Sequence, residues 1–245
     1  FKNLDLKLST KTEIVYPSVN KPKIKKKSKY IAFVGRLNHS KGYDIFQKTI
    51  EKILDKFPDW KSFSIGDEDR RSIYINHNQH KELGFLDHKK TLNILNQSEI
   101  AVVPSRWEEP FGRTALEASS SGCATIISNR GGLIETTDDA IILKKLDEKN
   151  LYSEIKKLIL NDKKRKNIQR NSRKNIKHMV VDNTKIIDQI RDSIFPTYNL
   201  NILKNKIKII NLYNQGQKLN HRLYNISLGK KFTNGFIRNG HDVLE

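Results

Sequence analysis

A single cysteine, Cys123, stands among the 245 residues. That excludes an internal disulfide framework and a cysteine-based zinc site, and makes a reducing compartment the default expectation. Long hydrophobic runs are equally scarce: no segment approaches the ~18 apolar residues of a membrane-spanning helix, and mean hydropathy is −0.64. Phe1 to Thr10 holds no continuous apolar segment of the kind a secretion signal uses. The location expected is therefore the cytoplasm, with the inner face of the membrane as its boundary. Aromatic residues make up only 8%, and the lysines are interspersed with asparagines rather than with stacking side chains, so nucleic acid is not an expected partner. Acidic residues are few, 27 against 46 Lys and Arg, for a formal charge of +19. Such a charge attracts phosphate-bearing partners without choosing among nucleic acid, anionic lipid and phosphorylated small molecules. His77 and His80 lie in a polar segment and read as an exposed loop rather than as metal ligands.

What the chain does contain is alternation. Residues 21–29, KPKIKKKSK, read as a solvated basic linker. The apolar run Tyr30 to Val34, closed by Gly35, reads as a buried parallel strand. Apolar residues then recur with helical spacing at Ile45, Phe46, Ile50, Ile53, Leu54 and Phe57, stopping at Pro58. Strands are predicted at Ser62–Ile65, around Ile73–Ile75, at Ile100–Pro104 and at Ala124–Ser128, with helices at Thr91–Gln97 and Thr114–Ser121 between them. That order predicts an α/β fold: a doubly wound, Rossmann-like parallel sheet with helices on both faces. From Asp147 to Ile194 the pattern is helical throughout. Beyond Pro196 a strand (Lys206–Tyr213), a helix (Leu223–Arg238) and a strand at Gly240–Val243 predict a C-terminal βαβ tail. The expected divisions are 1–29 as a partial preceding segment and linker, 30–195 as the main domain, and 200–245 as the truncated start of a second Rossmann-like domain. Opening on Phe1 and ending at Glu245 within a strand pattern, the chain is expected to be part of a longer polypeptide.

In an open parallel sheet ligands bind outside the carboxyl ends of the strands, and three strand-end loops hold the informative residues. In the first, Gly35 to Gly42, Arg36 offers a fork and Lys41 a point charge, together suited to a diphosphate. Taken alone, Lys41 reads equally as solvated surface. The second runs from Pro104 to Gly112, after which a helix starts near Arg113. Gly112 lacks a side chain, so a phosphate is expected to approach the first free N–H groups of that helix. Beside such an anion site a carboxylate at Glu109 needs its own partner, and sugar hydroxyls are one. Glu117, eight residues on, suits a ribose diol or is an ordinary acid near a helix start. The third loop, Ser128 to Gly132 with Glu135 behind it, has paired glycines for close passage to a ligand or for a tight turn.

The stretches Val15–Val19 (VYPSV), FVGRLNHSKGYD, GFLDHKK, VVPSRWEEPFGRTALEASSSGCATIIS and GGLIE resemble the donor-binding, C-terminal half of a retaining GT-B glycosyltransferase of family 4, the "group 1" transferases. The resemblance covers roughly residues 13 to 195, and its Glu-x7-Glu element at Glu109 and Glu117 is its most diagnostic part. It implies that Arg36 and Lys41 hold the diphosphate of a nucleotide-sugar donor and that Glu109 contacts the transferred sugar. It further implies that Glu117 binds the ribose, and that Gly35, Phe111, Gly112, Arg113 and Thr114 face sugar and phosphate. Gly84, Phe85 and Leu86 would border the base. Glu109, Arg36 and Lys41 would carry catalysis, by front-face attack with no metal and no cofactor beyond the donor itself. The implied acceptor is a glycan or a lipid-linked molecule, with peripheral membrane contact. A preceding domain would bind it and supply a catalytic His, so transfer by this chain alone is not expected. The tail, KIKIINLYNQG and NGFIRNGHDVLE, is similar to the opening of such a domain, as in a tandem transferase. Cys123-Ala124 departs from the family's usual proline. The competing reading is a basic nucleic-acid-binding or membrane-surface module without catalysis.

Overall fold

A computed structural model describes residues 14–194, apart from 24, 70 and 71, together with 208–210 and 242–244. The chain divides into two compact units, Phe1–Ile187 and Asp188–Glu245.

In the first unit six strands form one sheet: β1 (Ser28–Val34), β2 (Lys61–Ile65), β3 (His80–Glu82), β4 (Ser98–Val103), β5 (Ala124–Ile127) and β6 (Ile141–Ile142). Every pairing is parallel and the order is β3-β2-β1-β4-β5-β6. This is the doubly wound arrangement expected, with its switch point between β1 and β4. The connecting helices are α1 (Tyr43–Lys56), α2 (His88–Gln97), α3 (Arg113–Ser120), α4 (Glu148–Leu160) and α5 (Asp162–Lys174). A sixth, α6 (Val180–Ile194), follows.

The alternation of β1 explains the two layers. Ile31 and Phe33 enter a core of large side chains with Phe46, Ile50 and Ile53 of α1, Ile100 and Val102 of β4, and Leu151, Ile155 and Leu158 of α4. Ala32 faces the other layer, where Ala101, Ala118, Cys123 and Leu95 are all buried. Small residues on that face let α2 and α3 approach the sheet closely. On the first face each fully buried Ile or Phe contributes about 1.5–3 kcal/mol. Cys123 is thus packing, as its sealed position between layers implies, and burial pushes its thiol pKa up.

Three expectations need correction. Ile73–Ile75 is not a strand; Ile73 is buried and Ile75 packs against the core from a loop, while the sheet edge is formed by the polar triplet His80–Glu82. His80 accordingly sits in a strand, its ring bonded to the Ser62 and Ser64 hydroxyls, rather than in an exposed loop. The basic run is not wholly solvated. Ser28 and Lys29 already belong to β1, and the ammonium of half-buried Lys27 donates to the carbonyls of Leu95 (3.2 Å), Ser98 (2.8 Å) and Ser121 (2.7 Å).

In the second unit, β7 (Lys208–Ile210) and β8 (Asp242–Leu244) pair in parallel. The helix expected at Leu223–Arg238 lies outside the described residues.

Candidate active site

The loops that leave β1, β4 and β5 meet at the carboxyl end of the sheet, each braced by its neighbour. After β1, Asn38 Oδ1 accepts from the Lys41 N–H (3.1 Å) and from Ser40 Oγ (2.8 Å), shaping a short 3-10 turn at His39–Lys41. The Ser40 carbonyl accepts from the N–H groups of Arg106 (2.9 Å) and Trp107 (3.0 Å), stitching this loop to the one after β4. Arg106 also forks onto Asp44 of α1. Burial raises the Asp44 carboxyl pKa, but the Arg106 hydrogen bonds outweigh it and hold that carboxyl below its ordinary value.

The paired glycines of the third loop serve the second. A Cβ on Gly131 would fall 2.4 Å from the Glu109 carbonyl oxygen, and one on Gly132 would fall 2.5 Å from that of Pro110. Their absence lets the Gly132 N–H reach the Glu109 carbonyl at 2.6 Å. The glycines therefore fix the backbone of Glu109 rather than admit a ligand. Gly112 also has a packing role. Its φ is +92°, and a Cβ there would lie 2.4 Å from Leu133 Cδ2, so the side where a side chain would stand is filled by Leu133.

Glu109 and Lys41 come together. The Lys41 ammonium is 2.6 Å from Glu109 Oε1, with the carboxylate side chain 12% exposed and the lysine 31%. Both line a cavity of about 400 Å³ with Gly35, Phe111, Gly112, Arg113 and Thr114. α3 begins at this wall with no side-chain cap. Ala115 and Leu116 donate back to the Gly112 carbonyl, whereas the N–H groups of Arg113 and Thr114 have no acceptor among the described residues. They and the helix dipole present positive potential to the cavity.

The remaining candidates stand outside that cavity. Arg36 is exposed, and it makes no hydrogen bond or ion pair with the described residues. Glu117, its side chain 9% exposed, lies in α3 one turn beyond Arg113 and accepts at Oε1 from Arg113 (3.2 Å) and from His88 Nε2 (3.1 Å). Gly84, Phe85 and Leu86 form the loop between β3 and α2, next to His88, and Phe85 is exposed. The Gly84 carbonyl accepts from Gly66 at 2.8 Å, tying this loop to the end of β2.

Three contributors were not read from the sequence as site residues. Pro17 lines the cavity. Tyr16 packs at a tilt against Phe111 (5.4 Å) and His178 (4.6 Å) and donates to Glu135 Oε2 at 2.5 Å, a hydrogen bond that raises its phenol pKa. His88 is the third. The Tyr-Pro pair within Val15–Val19 was a usable signal, as was GFLDHKK, which contains His88; nothing marked His178. Among the described residues no cluster of three His, Cys, Asp or Glu could hold a metal ion, and no helix is long and apolar enough to cross a membrane.

Residues 17–175, well over half of the chain and all three loops, match the family model for glycosyl transferases group 1. The chain belongs to this family. Among curated relatives, the 2-deoxystreptamine N-acetyl-D-glucosaminyltransferase of Niallia circulans is 28% identical over 155 residues, which are 59% of this chain and 40% of that protein. The chain thus spans less than half the length of such curated relatives. Among solved structures, the C-terminal domain of the group 1 protein LpcC from Francisella tularensis superimposes with a TM-score of 0.54 at 26% identity, over 65% of this chain and 92% of that one. Anabaena HepE in complex with UDP-glucose gives a TM-score of 0.58 at 20% identity, covering 68% of this chain and 49% of that one, a likeness of fold.

Proposed function

We propose that this chain is the C-terminal, donor-binding half of a retaining group 1 transferase of family 4, which moves a sugar from a nucleoside diphosphate to an acceptor hydroxyl. The observation that carries the reading is the Lys41–Glu109 pair inside a cavity at the switch point, beside the uncapped start of α3. The LpcC domain, aligned over 92% of its length, and the HepE complex with UDP-glucose support it.

An empty site of this kind neutralises itself. On donor binding the diphosphate takes Lys41, and the hydroxyls of the sugar take Glu109, so both charges are satisfied at once. Arg36, exposed at the rim, closes on the outer phosphate oxygens. In transfer the bond between anomeric carbon and diphosphate oxygen breaks, and the acceptor oxygen bonds from the same face. The acceptor proton passes to the departing oxygen. Lys41, Arg36 and the α3 N–H groups stabilise the charge that develops on the leaving diphosphate. Side chains rather than a cation carry that charge, so EDTA leaves transfer unchanged. The acceptor and any catalytic His belong to the other half of the complete enzyme, and the β7–β8 pair begins a further Rossmann-like domain.

One groove favours contact with a membrane surface by the same enzyme, in keeping with a lipid-linked acceptor and a cytoplasmic location at the inner face. Lys23, Lys25, Lys89 and Lys90 line about 620 Å³ with a single acidic residue, Asp87, which already caps α2.

Thermal-shift titration with UDP, GDP and ADP and their sugars tests the donor reading. At least one raises the melting temperature, since binding stabilises only the folded state; no shift with any of them overturns it. In the complete enzyme Glu109→Gln lowers transfer roughly a hundredfold, and unchanged kinetics would remove Glu109 from the mechanism.

A further inference from the structure

Glu117 is the most buried carboxylate near the site, and the way it is held is specific. A carboxylate with so little solvent needs hydrogen bonds to stay charged, and two donors supply them: Arg113, four residues earlier in the same helix, and His88, the first residue of α2. Both donate to the same oxygen, Oε1. Oε2 accepts no hydrogen bond from the described residues. Two donors converging on one oxygen from different helices fix the plane of the group, and leave the lone pairs of the other oxygen for an incoming ligand.

His88 is held in turn. Asp87 caps α2 by accepting from the Lys90 N–H at 2.8 Å, which fixes the backbone on which His88 stands. The imidazole is itself 62% exposed, so it is not a core residue, and its one bond to protein is the one to Glu117. It stands two residues beyond Leu86, so the loop expected to border the base leads into the residue that holds Glu117.

We infer that His88 is the positioning residue for ribose recognition: by donating Nε2–H to Glu117 Oε1 it aims Oε2 at the 2′,3′-diol and so sets the preference for ribo- over deoxyribonucleotides. This rests on the donor-site reading above.

Calorimetric titration of the chain with the nucleoside diphosphate that binds best, and with its 2′-deoxy and 3′-deoxy forms, tests it. The wild type prefers the ribonucleotide about tenfold, the size expected for one hydrogen bond to a charged group. His88→Ala reduces the preference to below about threefold, chiefly by weakening the ribonucleotide, while affinity for the deoxy forms stays within about twofold. His88→Gln, whose amide nitrogen can occupy the Nε2 position, restores it. If the wild type itself shows no preference, Glu117 does not read ribose and the donor-site assignment fails at that residue. If the wild type discriminates and His88→Ala still does, Glu117 stands and the role of His88 is overturned. Equal weakening of all three nucleotides in His88→Ala also overturns it, because it marks a general structural effect.

Discussion

At the amino end of the strands, cations meet backbone that was waiting for them. Lys27 donates to Leu95 and Ser98 at the end of α2 and to Ser121 at the end of α3, Arg173 to Ser120 of α3, and Arg165 to Leu158 of α4. Three helix C-termini, each with unpaired carbonyls and partial negative charge, are thereby closed by three side chains. At the carboxyl end a cation stands beside a helix start of its own sign. α1 and α3 both begin at glycines that provide no side-chain cap, and Lys41 stands beside the start of α3. Its partner there is Glu109, a side chain that a ligand can replace. The same chemistry, lysine near a helix terminus, is structural at one end and functional at the other, because only one terminus carries the complementary charge.

The comparison is broken most strongly at the closed end. Lys27→Met keeps length and apolar stem but takes the ammonium from three carbonyls, of which those of Leu95 and Ser98 keep only the weak thiol donor of Cys123 beside them, at a cost of about 2 kcal/mol in unfolding free energy. Chemical denaturation measures it, with nucleoside-diphosphate affinity of the folded protein unchanged. A variant as stable as wild type would mean that water serves those carbonyls equally well. At the open end the effect moves from stability to binding. Lys41→Met weakens nucleoside-diphosphate affinity about tenfold, less at high salt. Glu109→Gln instead strengthens affinity for the bare diphosphate severalfold, because Lys41 is no longer engaged, while affinity for the nucleotide sugar falls. Titration curves that shift in the same direction in both variants would contradict the exchange of partners.

The outcomes also mark what a sequence exposes. Central strands were readable because burial on both faces demands continuous apolar runs such as Tyr30–Val34. β3 was not, since an edge strand can be polar, and His80-Lys81-Glu82 carries no apolar signal while Ile73 and Ile75 imitate one. The three ligand loops were legible as a set because a doubly wound sheet delivers its strand ends in chain order. Which side chains enter the cavity was not. Arg36 and Lys41 are five residues apart in one loop, yet only Lys41 lines it, a difference fixed by the 3-10 turn that Asn38 shapes. Lys27 was misread for the same reason: a run of lysines states charge, and the position of each ammonium depends on helices that end far away in sequence.

The smallest effect sharpens the contrast through pH. Desolvation lowers the pKa of Lys27 below its ordinary 10.5, against opposing attraction from Cys123 and Glu99. The unfolded chain therefore keeps that proton to higher pH than the folded one. In the window just below 10.5 unfolded protein binds more protons, so this lysine's contribution to stability rises with pH. Cys123 acts in the opposite sense. Burial raises its pKa above 9.0, the unfolded chain loses the thiol proton first, and stability falls through the same range. The two groups touch, at 3.9 Å, so the lysine is isolated by comparing Cys123→Ala with the Cys123→Ala, Lys27→Met double variant. The difference in unfolding free energy between them grows in favour of the lysine-containing protein as pH climbs toward 10.5. A flat difference would mean that the Lys27 ammonium is solvated in the folded protein, and the closed end of the sheet would then be no different from its surface.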